Sequence, residues 1–278
     1  MPSLNNIISS CKTIKKSKNI YRHSEVISAY LRLSLKKTFL TKKKQKSLSG
    51  SYNMFGFKVN YITFNTFFML YDEIFVAAEY YFKSDKKQPF IIDCGSNIGM
   101  SILFYKFIYP DAEIIGFEPD MHAHKTLSKN INDNHLSNTL VYQKALADKE
   151  GTIEFFYDSE NISSLQMSIM KERVSQSKVE VECTTLSKYI TKTVDFLKLD
   201  IEGAETLVIQ NLHEEGKLKF IEEMVIEYHH HINKDEDNLS EILSLLEKND
   251  FGYQINTNID TPYKSSFMQD IMIYAYKK

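Results

Sequence analysis

The chain has 278 residues, of which 43% are hydrophobic and 25% are charged, and this balance excludes a wholly disordered protein. No run approaches the roughly 18 consecutive apolar residues of a membrane-spanning helix, and the N-terminus lacks the apolar core of a secretory signal. Three cysteines far apart in sequence, with no CxxC pair, argue against a zinc ribbon, a redox pair or a disulfide framework, so we expect a reduced, cytoplasmic location.

The net charge of −2 conceals a basic N-terminal arm, residues 1–50, which holds 12 Lys and Arg residues and one acid, Glu25. The remaining residues carry a formal charge of −13. Such an arm can contact an anionic membrane at its inner face, bind nucleic acid, or remain a solvated extension. Apolar residues three to four apart predict a helix over residues 23–40. We therefore expect residues 1–50 to form a basic, partly helical N-terminal extension.

Residues 51–89 form an aromatic-rich segment that we expect to pack on the core. Alternation of apolar and polar residues over 55–61 predicts a strand. Residues 64–70 are predicted to return as a second strand, and residues 72–82 to form a helix.

From residue 90 to residue 278, short apolar runs alternate with amphipathic stretches. Strands are predicted at 90–94, 113–117, 140–146, 152–157, 179–183 (an edge strand), 194–199, 220–228, 253–256 and 271–276. Helices are predicted at 98–108, 121–132, 204–212 and 239–249. This alternation predicts an α/β domain with a mostly parallel sheet and helices on both faces. No helix separates the last two strands, so one of them should be antiparallel.

The first of these strands runs into the sequence DCGSNIG, residues 93–99. In an α/β sheet ligands bind beyond the carboxyl ends of the strands, and Gly95 and Gly99 allow a tight turn there before a helix N-terminus. Asn97 stands where the GxGxxG fingerprint has its second glycine, and no GK[ST] follows, so neither a dinucleotide site nor a P-loop is favoured. Asp93 suits a cationic or hydroxylated ligand better than a pyrophosphate.

An acid, Glu118, followed by Pro119, comes about 20 residues after this turn, at the end of the second strand. A carboxylate in this position can accept hydrogen bonds from both hydroxyls of a ribose. Alternatively, Glu118 only caps the next helix. The glycine turn upstream favours the ribose interpretation.

Two further strands end in groups that can perform acid–base chemistry. Asp200 and Glu202 follow one strand, and Glu227 and His229 end the next. Neighbours in an extended run point in alternate directions, so at most two histidines of residues 229–231 can face one ion, and no metal site is predicted. His229 is the favoured general base, with Glu227 orienting it and Asp200 or Glu202 as the alternative base.

The segments FIIDCGSNIGMSILFY, IIGFEPD, KALAD, VDFLKLDIEGAE and VIEYH, in this order over residues 71–231, resemble the FkbM family of S-adenosylmethionine-dependent methyltransferases. The resemblance implies a class I methyltransferase (Rossmann-like) fold, with a seven-stranded, mostly parallel sheet and one antiparallel strand near its end. It also implies O-methylation of a hydroxyl on a sugar, a glycan or a small natural product, with S-adenosylmethionine as cofactor and no metal. Residues 90–278 would form this domain.

Carried over to this sequence, the resemblance also implies the cofactor site. The implied cofactor-binding residues are Asp93, Gly95, Ser96, Asn97, Gly99, Glu118, Pro119, Ala147, Asp148 and Asp200. Residues 93–99 would form the loop, Glu118 would hold the ribose, Ala147 and Asp148 would lie beside the adenine, and Asp200 near the methyl group. The acceptor pocket is expected in residues 52–82 and 159–177.

Two other enzyme functions fit these motifs less well. An NAD-dependent oxidoreductase is disfavoured by the missing GxGxxG, and a nucleic-acid methyltransferase by the absence of an [ND]PP[YFW] motif, so no nucleic-acid partner is expected. The remaining alternative is an inactive methyltransferase-fold protein that acts as a scaffold through its basic arm. The oligomeric state stays open.

Overall fold

The computed structural model describes residues 4–16, 22–47, 49–157, 167–168, 177–230, 238–257 and 269–278. Its helices are α1 (Leu4–Lys16), α2 (His23–Phe39), α3 (Lys42–Ser47), α4 (Phe64–Tyr71), α5 (Met100–Ile108), α6 (Met121–Asp133), α7 (Glu205–Glu214) and α8 (Leu239–Lys248). A π-helix (Asp72–Ala77) follows α4, and short 3-10 helices lie at Leu186–Tyr189 and Leu218–Phe220. Its strands are β1 (Gly50–Met54), β2 (Phe57–Tyr61), β3 (Phe90–Cys94), β4 (Glu113–Phe117), β5 (Thr139–Tyr142), β6 (Ala145–Leu146), β7 (Gly151–Tyr157), β8 (Met167–Ser168), β9 (Ser177–Thr184), β10 (Val194–Leu199), β11 (Ile221–His230), β12 (Phe251–Thr257) and β13 (Gln269–Lys277).

A sheet of seven strands, in the order β12-β13-β11-β10-β3-β4-β5, forms the centre of the fold. Strand β13 is antiparallel to both of its neighbours, and the other adjacent pairs are parallel. The predicted mostly parallel sheet, with one antiparallel strand among the last two, is confirmed. The strand order reverses between β3 and β10, and such a switch point opens a crevice beyond the carboxyl ends of the strands.

Two apolar cores cover the two faces of this sheet. Strands β3 and β10 are buried along their whole length, including Asp93, Asp195 and Lys198, and their other residues are apolar. Ile91 and Phe196 enter the core that includes residues of α1, α2, α4 and α5, whereas Ile92 and Leu197 enter the core that includes residues of α7 and α8. The prediction of helices on both faces is therefore confirmed.

The aromatic segment differs from its prediction because residues 64–70 lie in helix α4 and not in a strand. The Oγ1 atom of Thr63 accepts a hydrogen bond from the backbone N–H of Thr66 at 3.2 Å and caps the helix. Buried aromatic side chains recur three and four residues apart, at Phe64, Phe67 and Phe68. Aromatic residues suit strands as well as helices, so their spacing, and not their type, was the informative signal.

The helix predicted over residues 72–82 ends early. Its first six residues form the π-helix, which stops at Ala78 because that residue adopts the left-handed conformation, with φ of 57°. Residues 79 and 80 therefore leave the helix, and Tyr80 reaches the carboxyl end of β10, where its hydroxyl lies 3.3 Å from Asp200 Oδ2.

A second, four-stranded sheet has the order β6-β9-β7-β8. The strand predicted at 140–146 is divided between β5 of the central sheet and β6 of this one. Strand β9 lies between β6 and β7, so the edge position predicted for residues 179–183 is wrong.

The N-terminal helices pack on the rest of the molecule. Ile14, Val26 and Leu33 are fully buried, and the Tyr71 hydroxyl donates a hydrogen bond to the Val26 carbonyl at 2.7 Å. The boundaries drawn at residues 50 and 89 stay predictions. Within the described ranges, no helix has both the length and the apolar character that crossing a bilayer demands.

Candidate active site

A small open cleft, with a cavity volume of about 70 Å³, lies at the carboxyl ends of β3, β4 and β10. The lining residues are Gly95, Asn97, Phe117, Glu118, Pro119, Asp120, Ala123, Lys144, Ala145, Leu146, Asp200, Ile201 and Glu202. The cleft thus brings together residues that the sequence analysis selected after three different strands.

The loop at residues 95–99 turns at three left-handed positions, with φ of 81° at Gly95, 51° at Asn97 and 88° at Gly99. The Phe117 carbonyl accepts hydrogen bonds from the N–H groups of Gly95 and Ser96, at 3.0 and 2.9 Å. A Cβ atom on Gly95 would lie 1.8 Å from the Asp200 carbonyl oxygen. Gly95 is therefore required for packing the loop against the end of β10.

Glu118 joins this loop to the next turn. Its Oε2 accepts from the Asn97 N–H at 2.7 Å and its Oε1 from the Asp120 N–H at 2.8 Å. Burial raises the pKa of Glu118 to about 7 against the opposing effect of these two hydrogen bonds. Asp120, not Glu118, caps α6 by accepting from the Ala123 N–H at 2.6 Å. The purely capping role considered for Glu118 is therefore taken by Asp120.

Asp93 and Ser96 lie beneath the loop and support it. Asp93 is fully buried, and its Oδ2 accepts a hydrogen bond from the Ser101 hydroxyl at 2.7 Å. The Ser96 hydroxyl donates to the Asp93 carbonyl at 2.9 Å. Neither residue lines the cleft, and Gly99 does not line it either.

The residues predicted beside the adenine lie just outside the cleft lining. The Ala147 N–H donates to the Thr184 carbonyl at 3.0 Å, which directs this segment along β9. The preceding residues, Lys144, Ala145 and Leu146, line the cleft, whereas Ala147 and Asp148 do not.

Lys198, which the sequence analysis did not select, lies at the centre of the site. Its side chain is buried, and its ammonium donates to the carbonyls of Cys94 at 3.2 Å and Gly95 at 2.8 Å. The ammonium also lies 3.2 Å from Asp200 Oδ2 and 3.7 Å from Asp93 Oδ1. Burial lowers the pKa of Lys198, but the neighbouring carboxylates, led by Asp200, raise it by more. The pKa of Lys198 is therefore above its ordinary value. The signal available from the sequence was a lysine near the end of a mostly apolar strand.

His229 is buried between carboxylates. Its Nδ1 lies 3.0 Å from Glu205 Oε1, and its Nε2 lies 3.2 Å from Glu202 Oε2 and 3.9 Å from Asp200 Oδ1. Glu202 reaches this position from a left-handed turn, with φ of 60°. The Nδ1 partner is thus Glu205, the first residue of α7, which the sequence analysis did not select.

The Glu205 carboxylate also holds the turn that precedes α7. Its oxygens accept from the Gly203 N–H at 3.0 and 3.1 Å and from the Ile201 N–H at 3.2 Å. One buried carboxylate therefore fixes both the turn that carries Glu202 and the ring of His229.

Glu227 makes a different hydrogen bond from the one expected. Its Oε2 accepts from the Tyr80 hydroxyl at 3.0 Å. Burial and the nearby Asp200 raise the pKa of Glu227 to about 8. The same two causes, with further neighbouring carboxylates, raise the pKa of Glu79 to about 7 and contribute to a pKa of about 8 for Glu73. This side of the site therefore holds several carboxyl groups that keep their protons to higher pH than ordinary glutamates do.

Asp200, Glu227 and His229 each place one possible metal-ligand atom within 4.8 Å of the other two. Such a group of three atoms can hold a metal ion. The Lys198 ammonium, 3.2 Å from Asp200 Oδ2, already supplies this carboxylate with a charge partner. The absence of a metal requirement stays a prediction. His231 and nearly all of the predicted acceptor loop at 159–177 lie outside the described residues.

The strand order and the cleft at its switch point define a class I methyltransferase fold. The model of the methyltransferase FkbM domain matches residues 93–255, so the chain belongs to the FkbM methyltransferase family. A curated relative, "Methyltransferase sdnD" from Sordaria araneosa, is 30% identical over 178 residues, 52% of this chain and 69% of the relative. "Methyltransferase 1" from Beauveria bassiana (strain ARSEF 2860) is 29% identical over 167 residues, 52% of this chain and 67% of the relative. Among solved structures, methyltransferase FkbM from Methylobacillus flagellatus KT aligns with a TM-score of 0.48 at 14% identity, covering 91% of this chain and 60% of that one.

Proposed function

We propose that this chain is an S-adenosylmethionine-dependent O-methyltransferase that acts on a hydroxyl of a sugar, a glycan or a small natural product. The observation that carries the proposal is the acidic cleft at the switch point, bounded by the Gly95 loop on one side and by Asp200 and Glu202 on the other. The cytoplasmic location and the absence of a nucleic-acid partner stay predictions.

The residues of the cleft fit this cofactor. Glu118, Asp120, Asp200 and Glu202 all line it, and carboxylates favour a sulfonium cation. Both Glu118 oxygens keep lone pairs that can accept from a ribose diol. In this proposal Asn97 and the loop around it contact the methionine part, and Pro119 and Leu146 flank the adenine, with Ala147 and Asp148 next in the chain. When bound, the cofactor supplies an activated methyl group.

His229 is the proposed base. In this proposal Nδ1 carries the proton and donates it to Glu205, 3.0 Å away, which leaves the proton-accepting position on Nε2. Nε2 and Glu202 Oε2 are 3.2 Å apart, so they share a proton when they are in contact. An acceptor hydroxyl placed beside Nε2 would pass its proton to that atom while the shared proton stays on the Glu202 carboxyl. Glu202 and Asp200 are the alternative bases at the same place.

Calorimetric titration of S-adenosylmethionine and S-adenosylhomocysteine, with NAD as control, tests the cofactor. Micromolar affinity for the sulfur compounds without NAD binding supports the proposal, and no binding of either favours the inactive scaffold. Transfer of a labelled methyl group to hydroxylated sugars and glycan precursors then tests the reaction. Label that is lost on mild alkaline hydrolysis would indicate an ester product and would contradict methylation of a hydroxyl.

A further inference from the structure

Helix α2 presents an apolar row on its outer side. Its inner side is buried on the body through residues such as Val26 and Leu33. On the other side Leu31, Leu35 and Phe39 are 44%, 59% and 80% exposed. Residues four apart are neighbours along one side of a helix, so these three side chains form a continuous strip, here named the α2 stripe.

A strongly basic segment adjoins this stripe. Residues 26–71 contain eight Lys and Arg residues and no Asp or Glu. Helix α3 begins three residues after Phe39, and Lys42, Lys43 and Lys44 are exposed there. By contrast, Lys36 and Lys37 are turned onto the body, where Lys36 donates to the Tyr61 hydroxyl at 3.1 Å and Lys37 lies 4.0 Å above the Phe68 ring.

We propose that the α2 stripe and the lysines of α3 form a docking surface for an anionic phospholipid bilayer. Exposed Leu and Phe side chains can enter the boundary between head groups and acyl chains, while adjacent lysines are attracted to the anionic surface. The two features occur together here, and each alone gives weaker binding. Docking through this surface does not depend on the proposed methyl transfer.

The charge of the whole chain favours one orientation on such a surface. Residues 1–50 carry +11, whereas the remaining residues carry −13. An anionic membrane therefore attracts the arm and repels the body, which turns the α2 stripe toward the lipid. Two copies of the chain facing each other through this surface would bring like charges together, and a nucleic acid would leave the apolar stripe in water.

Vesicle co-sedimentation of the full chain tests the surface. The vesicles contain phosphatidylcholine alone or phosphatidylcholine with about a third of phosphatidylglycerol, at about 0.05 M and about 0.5 M salt. We expect binding to the anionic vesicles at low salt, at least about tenfold weaker binding to the neutral ones, and a similar loss at high salt. No binding to anionic vesicles at low salt overturns the proposal.

Two triple variants separate the apolar and the basic contributions. Leu31→Gln/Leu35→Gln/Phe39→Gln removes the stripe, and Lys42→Gln/Lys43→Gln/Lys44→Gln removes the charge. We expect each variant to weaken binding by about tenfold or more. The changed side chains are exposed, so circular dichroism and thermal midpoints should stay close to those of the unchanged chain.

Matched controls carry the same changes at exposed positions elsewhere. These controls are Leu140→Gln/Leu207→Gln/Ile255→Gln for the stripe and Lys87→Gln/Lys125→Gln/Lys149→Gln for the charge. Controls that lose as much binding as the test variants overturn the proposal, because the attraction would then be unspecific. If the chain self-associates and the stripe variant is monomeric, the surface binds a second copy and the proposal is overturned. If the chain binds a single-stranded oligonucleotide tightly but does not bind vesicles, the surface binds nucleic acid and the proposal is also overturned.

Discussion

The ring of His229 is held in one orientation, whereas its protonation state can change. Glu205, itself buried, holds Nδ1, and Nε2 faces Glu202 and Asp200 at the cleft. We expect His229→Ala to keep S-adenosylmethionine affinity within a few-fold and to lower kcat by about a hundredfold or more. Calorimetry and single-turnover kinetics measure the two quantities separately. His122→Ala, at an exposed position on α6, is the control, and unchanged turnover in His229→Ala would remove this residue from the mechanism.

Lys198 connects the loop that follows β3 to Asp200. Its removal would leave Asp93 and Asp200 without their buried cation and the Gly95 carbonyl without a donor. We expect Lys198→Met to lower the free energy of unfolding by about 3 kcal/mol and to weaken cofactor binding. Urea unfolding and calorimetry check these effects. Lys198→Met/Asp200→Asn should recover part of the stability, and purely additive losses would contradict the pairing.

Gly95 has a matched counterpart elsewhere in the chain. Gly95 and Gly56 have similar φ values, 81° and 89°, but a Cβ atom on Gly56 would meet nothing within 4 Å. We expect Gly56→Ala to cost about 1–2 kcal/mol of backbone strain and to leave cofactor binding intact. Gly95→Ala should be less stable and should lose cofactor affinity, because the loop must move away from Asp200. Equal effects of the two substitutions would show that only φ matters at Gly95.

At the scale of elements, the region from residue 90 onward could be predicted well because its central strands are short and mostly apolar and alternate with amphipathic helices. Strand β3, for example, was predicted with the observed bounds. Helix α4 was missed because phenylalanine suits a strand as well as a helix, although the spacing of Phe64, Phe67 and Phe68 favours a helix. The contacts of the site join residues that are far apart in the chain. Tyr80 and Glu227 are separated by 147 residues, so no local sequence pattern predicts their hydrogen bond.

The π-helix and the turn at Ala78 position Tyr80 between two strand ends. The hydroxyl lies 3.0 Å from Glu227 Oε2 and 3.3 Å from Asp200 Oδ2, and its hydrogen bond lowers the pKa that burial raises in Glu227. We expect Tyr80→Phe to raise the pKa of Glu227 further and to lower kcat by about tenfold near neutral pH. The acid limb of the pH profile for kcat should move to higher pH with the pKa of Glu227, and an unmoved limb would exclude Glu227 from turnover. Tyr276→Phe, at a half-exposed position, should leave the profile unchanged.

At the scale of the whole molecule, buried acids make stability depend on pH. Burial, with neighbouring carboxylates, raises the pKa values of Glu73 and Glu227 to about 8 and that of Glu79 to about 7, from an ordinary value of 4.5. Burial also raises the pKa of Glu118 to about 7, although hydrogen bonds from two backbone N–H groups lower it. Between pH 4.5 and pH 8 these groups bind more protons in the folded state than in the unfolded state. The free energy of unfolding should therefore fall as pH rises through this window.

Urea unfolding at pH 6 and at pH 8.5 measures this dependence, and we expect the chain to lose stability on the order of 1 kcal/mol or more across the interval. Glu227→Gln and Glu79→Gln each remove one ionisation, so each should reduce the loss, whereas Glu214→Gln at an exposed position should not. A cationic cofactor in the cleft stabilises the ionised carboxylates, so S-adenosylmethionine should protect the chain more at pH 8.5 than at pH 6. Equal protection at both values would contradict a cation bound beside these acids, and a stability that rises with pH would contradict their burial as protonated groups.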